Sequence, residues 1–166
     1  MHVPFSYPSG TVSLTLAVLL FTLGGCGKNE VQRDLREYTT SSLPPLREIE
    51  RNALAKYETV SGEHYVDDAV LYETIRSEVL PLFRELLLHA EAVVPASPDV
   101  RRLHDAYLAS ARRYRSAFTL YLEALEKQDA QHEAVALREL EEAAHLSREF
   151  SLMLHASCEE YHLPRE

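Results

Sequence analysis

The chain has 166 residues, 46% hydrophobic and 26% charged, with a formal net charge of −9. One domain fits that length, the apolar fraction is ample for a core, and the acidic balance argues against nucleic acid as a partner. Two cysteines exclude a disulfide scaffold, five glycines leave no glycine-rich phosphate loop of the usual kind, and the absence of Trp disfavours an indole-lined sugar platform.

Residues 1–25 contain no Asp, Glu, Lys or Arg, and Val12 to Leu23 is apolar apart from Ser13, Thr15 and Thr22. Spanning a bilayer takes about 20 apolar residues, so this run is too short to cross one and has the size of an export signal's hydrophobic region. It ends in Leu23-Gly24-Gly25-Cys26. That tetrad resembles the lipobox of bacterial lipoproteins: an aliphatic residue, two small residues, then the cysteine. The resemblance implies that residues 1–25 are a signal peptide removed by signal peptidase II. It also implies that Cys26 carries the lipid and that residues 26–166 are the mature domain. It covers about the first 26 residues. The chain departs from the family pattern in having only the terminal amine and His2, with no Lys or Arg, ahead of the apolar run.

Acyl chains contribute roughly 0.8 kcal/mol per buried CH₂, so two or three of them make a durable membrane anchor. The expected location is the cell envelope. In a Gram-negative cell it is the periplasmic face of the outer membrane, since Gly27 stands where an Asp would signal inner-membrane retention. Asn29, only three residues beyond Cys26, reads as a helix N-cap, which would hold the folded part within about 14 Å of the bilayer.

From residue 29 the pattern is helical. Val31, Leu35, Tyr38, Ser42, Leu46, Ile49, Ala53, Tyr57 and Val60 recur in steps of three and four, giving one apolar stripe. Ser61-Gly62 punctuates the chain, and Leu71, Ile75, Val79, Leu82, Leu86, His89 and Val93 form a second stripe. Ser97-Pro98-Asp99 then signals a new helix, with Ser97 as N-cap and Pro98 in the first turn. The third stripe runs Val100, Leu103, Tyr107, Ser110, Tyr114, Ala117, Tyr121 and Ala124. After the polar Lys127-Gln128-Asp129 the fourth runs Leu137, Leu140, Ala144, Ser147, Ser151, Leu154, Cys158 and Tyr161. Period-two alternation and Asn-Gly or Asp-Gly hairpins are missing. The expected fold is all-α, an antiparallel up-down-up-down four-helix bundle with Leu46, Ile49, Ile75, Leu82, Leu103, Phe118, Leu140 and Leu154 in one core.

Prolines interrupt the first two stripes in similar fragments, Leu43-Pro44-Pro45-Leu46-Arg47-Glu48-Ile49 and Leu80-Pro81-Leu82-Phe83-Arg84-Glu85-Leu86. The apolar phase continues past each, which predicts kinks rather than breaks. A hairpin tip at Ser61-Gly62 would set Pro44 and Pro81 side by side and open a groove there.

Chemistry-bearing residues are sparse. Glu142 and His145 have the Glu-x-x-His spacing of di-iron bundles, but the pattern occurs once where two are needed. His155, Cys158 and His162 can share a helical face and suit zinc or copper, although Cys158 also falls on the core stripe. His89 reads as a core histidine, and the tyrosines at 107, 114 and 121 as core residues with hydroxyls at the rim. The arginines at 101, 102, 112, 113 and 115 and the acids of residues 123–142 read first as solvated helix faces and second as a complementary docking surface. No nucleophile motif is present. The residues thus point to no enzyme and no cofactor. The leading expectation is a membrane-anchored, non-enzymatic accessory protein with an envelope protein as partner. The alternative is a small-ligand or metal sensor with its site inside the bundle.

Overall fold

A computed structural model describes residues 23–164, so residues 1–22 of the expected signal peptide 1–25 and the Cys26 side chain lie outside the described residues. The chain is all-helical, and no strand occurs among the described residues. Helices α1 (Leu23–Glu37) and α2 (Leu43–Glu58) are joined without interruption by a wide turn at Tyr38–Ser42. In the same way α3 (Asp68–Thr74) continues through Ile75–Val79 into α4 (Leu80–Ala92), and two unbroken helices follow, α5 (Pro98–Lys127) and α6 (Ala130–Glu160).

The wide turns are π-helical. Leu43 N–H donates to the Tyr38 carbonyl and Leu80 N–H to that of Ile75, five residues back instead of four. Each stands immediately before a proline, Pro44 or Pro81. A proline ring clashes with the carbonyl four residues earlier in a regular helix, and a π-turn opens the backbone at that place. Nearby hydroxyls bond to carbonyls of the preceding turn: Thr40 Oγ1 donates to Arg36 O at 2.8 Å and Ser77 Oγ to Glu73 O at 2.7 Å. The helices therefore pass through their prolines. The prolines are not neighbours, however. Lys56 Nζ meets Glu78 at 2.6 Å, which sets the register of α2 beside the second helix. Pro81 is then level with Ala53, nine residues or about 13 Å along α2 from Pro44. The expectation of paired bends fails because residues 59–67, which include non-helical backbone, lengthen the connection on one side.

Other boundaries follow local chemistry. Asn29 is not an N-cap but lies inside α1. Gly62 adopts φ +57°, a left-handed conformation that a side chain disfavours, and Asp67 caps α3 by accepting from Val70 N–H. Ser97 caps α5 and Pro98 occupies its first turn. Gln128 takes φ +52° to end α5, and Asp129 accepts from the Gln131 and His132 amides to start α6.

The core is built around α5, whose buried face includes Val100, Leu103, Tyr107, Ala111, Tyr114, Phe118 and Tyr121. Phe83 stacks on Tyr114 with centroids 5.5 Å apart, Tyr57 meets Phe118 edge-on at 5.0 Å, and Tyr107 packs on Phe150 at 5.1 Å. Contacts between α5 and α6 pair Asp99 with Tyr161, Arg113 with Glu139 and Tyr121 with Glu133, so these two helices run antiparallel. Of the expected core, Leu46, Ile75, Leu103 and Phe118 are buried, while Ile49, Leu82, Leu140 and Leu154 are partly buried against it. The α6 stripe is rotated from its expected position: Ala136, Ala143, Phe150 and Cys158 face inward, and Leu137 is 39% exposed. Small alanines there let α6 lie close to α5. Phe150→Ala should accordingly cost about 3–5 kcal/mol. Leu137→Ala should change stability by no more than about 0.5 kcal/mol. Urea unfolding of the two variants checks this phase.

Candidate functional site

Two hollows lie along the seam between α2 and α6. One face of α2 presents Arg47, Glu50, Arg51, Leu54 and Glu58 at helical spacing, opposite Ser147 and Ser151 of α6. Arg47 crosses between the two helices, its guanidinium 5.6 Å over the Phe150 ring and 3.5 Å from Ser151 Oγ. It adjoins both hollows of the seam. One, of about 550 Å³, is lined by Glu50, Arg51, Leu54, Ala55, Glu58 and Ser147. The other, of about 220 Å³, is lined by Thr39, Leu43, Pro44, Leu154, His155 and Cys158. Pro44 thus borders a hollow shared with α6, not with the second proline. At the far end Gln32 donates to the Tyr161 carbonyl at 2.8 Å and closes the seam.

Beneath the larger hollow lies a buried polar cluster. Glu50 is 8% exposed and Tyr107 2%, and neither Glu50 Oε1 nor the Tyr107 hydroxyl has a hydrogen-bond partner. The two groups are close enough for each to raise or lower the other's acidity, yet they do not meet in hydrogen-bond geometry. Burial raises the Glu50 pKa above that of an ordinary carboxyl, opposed by Tyr107 and by the Arg47 charge. Burial also raises the Tyr107 pKa, with the Glu50 charge adding to it.

Next to this pair His104 is 2% exposed and fully used. Its Nε2–H donates to the Ala90 carbonyl at 2.8 Å, and its Nδ1 accepts from the Tyr38 hydroxyl at 3.2 Å. That arrangement is a neutral imidazole, and burial lowers its pKa. His104 is the core histidine that the sequence analysis missed. His89, expected in that role, is exposed and stands 4.0 Å from Glu85. The periodicity marked Leu103 and Tyr107 on α5 but gave no sign that the intervening His104 shares their face.

The structure does not assemble the candidate metal ligands. His145 is exposed and pairs with Glu149 at 3.3 Å, and Glu142 is exposed. His155 is exposed while Cys158 is buried and free, its thiol pKa raised by burial. His162 lies beyond the end of α6 with φ +53°, so the shared helical face ends before it. Among the described residues no group of three His, Cys, Asp or Glu side chains is placed to hold a metal ion. The tyrosines at 107, 114 and 121 are buried as expected, but the Tyr107 hydroxyl, expected at the rim, lies inside without a hydrogen-bond partner. Much of the α5 charge pairs within the chain: Arg113 with Glu139 at 2.8 Å, Arg112 with Glu91 at 2.9 Å, and Arg102 with Asp99. Asp34, unmarked in the sequence, binds the α4–α5 loop by accepting from the Ala96 and Ser97 amides and the Ser97 hydroxyl.

No family model, curated protein or solved structure matches the chain. Among the described residues no helix is long and apolar enough to cross a membrane.

The polar cluster makes opposite demands on pH. Glu50 has a raised folded pKa, so its contribution to stability is present below the unfolded carboxyl value and lost as pH rises through the folded one. His104 has a lowered folded pKa, so its contribution is present above about pH 6.5 and lost as pH falls below that. Glu50→Gln should therefore raise stability by about 1–3 kcal/mol at pH 8 and change it little at pH 4. Urea midpoints across that range test the sign; a pH-independent difference would contradict it.

Proposed function

We propose that this chain is a membrane-anchored envelope lipoprotein, acting through a non-enzymatic helical domain as an interaction or accessory protein. The observation that carries the reading is Leu23-Gly24-Gly25-Cys26 at the end of an uncharged apolar run of signal-peptide size. Cleavage before Cys26 leaves residues 26–166, and the acyl chains supply the attachment that no described helix supplies by crossing a bilayer. The helical backbone passes through Cys26 and continues to Glu58, which supports a domain rising from the membrane surface without a flexible tether. The arrangement proposed for that domain is an up-down-up-down four-helix bundle, with the two π-interrupted helices as its first pair. The antiparallel contacts of α5 with α6 and the short connections support it.

A second reading, a small-ligand sensor, is favoured by the open α2/α6 seam and the unpartnered Glu50 oxygen below it.

Metabolic labelling with a fatty acid, followed by membrane fractionation, tests the anchor. The wild-type chain should be labelled and pellet with membranes, whereas Cys26→Ser should lose both properties. Unchanged membrane retention of exported Cys26→Ser would overturn the assignment.

A further inference from the structure

We propose that the larger hollow of the α2/α6 seam binds a small zwitterion, a molecule carrying an ammonium and an anionic group a few bonds apart. This inference gives a ligand class to the sensor reading, rests on it, and does not require the anchor.

Two opposite charges of α2 lie near each other without pairing. Arg47 and Glu50 are one helical turn apart on α2, where such residues ordinarily can pair. They form no ion pair among the described residues, because Arg47 extends over Phe150 to Ser151 while Glu50 turns inward. Glu50 thereby keeps a desolvated carboxyl with one oxygen unpartnered beside the Tyr107 hydroxyl. The inner oxygen is closed to the hollow, but Glu50 lines its wall, and a ligand ammonium set against the carboxyl there supplies the counter-charge that a desolvated carboxylate lacks. Glu58 adds a second acid along the same wall.

A simple cation does not fit the wall equally well, because Arg47 and Arg51 line it too. Arg47 has no carboxylate partner among the described residues, and Arg51 is held only by the exposed Glu48 at 2.5 Å, an easily exchanged pair. Their guanidiniums match a carboxylate or phosphate in two-point geometry. Two acids and two arginines on one face balance a ligand with both charges. Ser147 and Ser151 offer hydroxyls from the opposite helix, and Leu54 and Ala55 offer a short apolar stretch. A free amino acid and the phosphoethanolamine headgroup of a lipid share this chemistry.

Isothermal titration of the purified full chain tests the site, using β-alanine and O-phosphoethanolamine as zwitterions and ethylamine and acetate as single-charge controls. One or both zwitterions should bind, and each binding zwitterion should weaken at least about tenfold in Glu50→Gln and in Arg47→Gln. Circular dichroism should show both variants folded. Tighter binding of β-alanine assigns a free amino acid, and tighter binding of O-phosphoethanolamine assigns a headgroup. Ethylamine binding as tightly as the zwitterions, and lost in Glu50→Gln, would keep the seam as a ligand site but overturn the zwitterion. Binding unaffected by both substitutions, or no binding of any probe, would overturn the site itself.

Discussion

The aromatic column on α5 is the constraint to which the other helices conform. Tyr107, Tyr114, Phe118 and Tyr121 must be kept from water, and no single neighbour can cover them all. Phe83 of α4 covers Tyr114, Tyr57 of α2 covers Phe118 and Tyr121, and Phe150 of α6 covers Tyr107. Each ring pair fixes a height as well as a contact, because edge-on and offset geometries tolerate little sliding. Once these heights are set, α6 meets α5 chiefly through small residues, and its edge toward α2 is left short of side chains large enough to fill the seam. The open seam is thus a consequence of close packing elsewhere.

The polar cluster illustrates how such a core places unlike groups under one condition. His104 is satisfied on both ring nitrogens and is stable only while neutral. Glu50, a short distance away across Tyr107, feels the Arg47 charge without forming an ion pair with it, and its inner oxygen has no donor. Replacing it by an apolar residue would relieve the cost, as buried ions generally cost more than the packing they displace. Its presence gives the seam a chemical character that leucine could not provide.

Much of the architecture was legible in the sequence, since four stripes, two polar turns and the Ser97-Pro98 start all describe real boundaries. The missed features share a cause: periodicity reports a face, not its exact phase or its polar exceptions. Tyr38 to Ser42 to Leu46 reads as two steps of four, whereas the buried residues are Tyr38, Leu43 and Leu46, a step of five and one of three. Both readings span eight residues, so the π-turn is invisible to a pattern that allows only threes and fours. On α6 the larger Leu137 drew the stripe away from Ala136, although the alanine is the residue pressed against the core. The Glu50 site was hidden for a related reason. An acid among Glu48, Arg47 and Arg51 looks like part of a solvated face, and only the neighbouring helices reveal that it turns inward.

The two π-turns lie 37 positions apart, Tyr38–Ser42 against Ile75–Val79, each directly before a Leu-Pro pair. A π-turn amounts to one extra residue threaded into an otherwise regular helix. Removing a residue from either would restore ordinary winding but turn everything upstream by about 100° relative to the part downstream. In the first helix that rotation would swing Leu35 and Tyr38 away from the core, and with Tyr38 the hydroxyl that holds His104. The angular offset also reaches Asp34, whose carboxylate binds the loop ahead of α5. A one-residue excess in the winding thus aims the N-terminal half of the helix, while Pro44 keeps that excess from migrating along it.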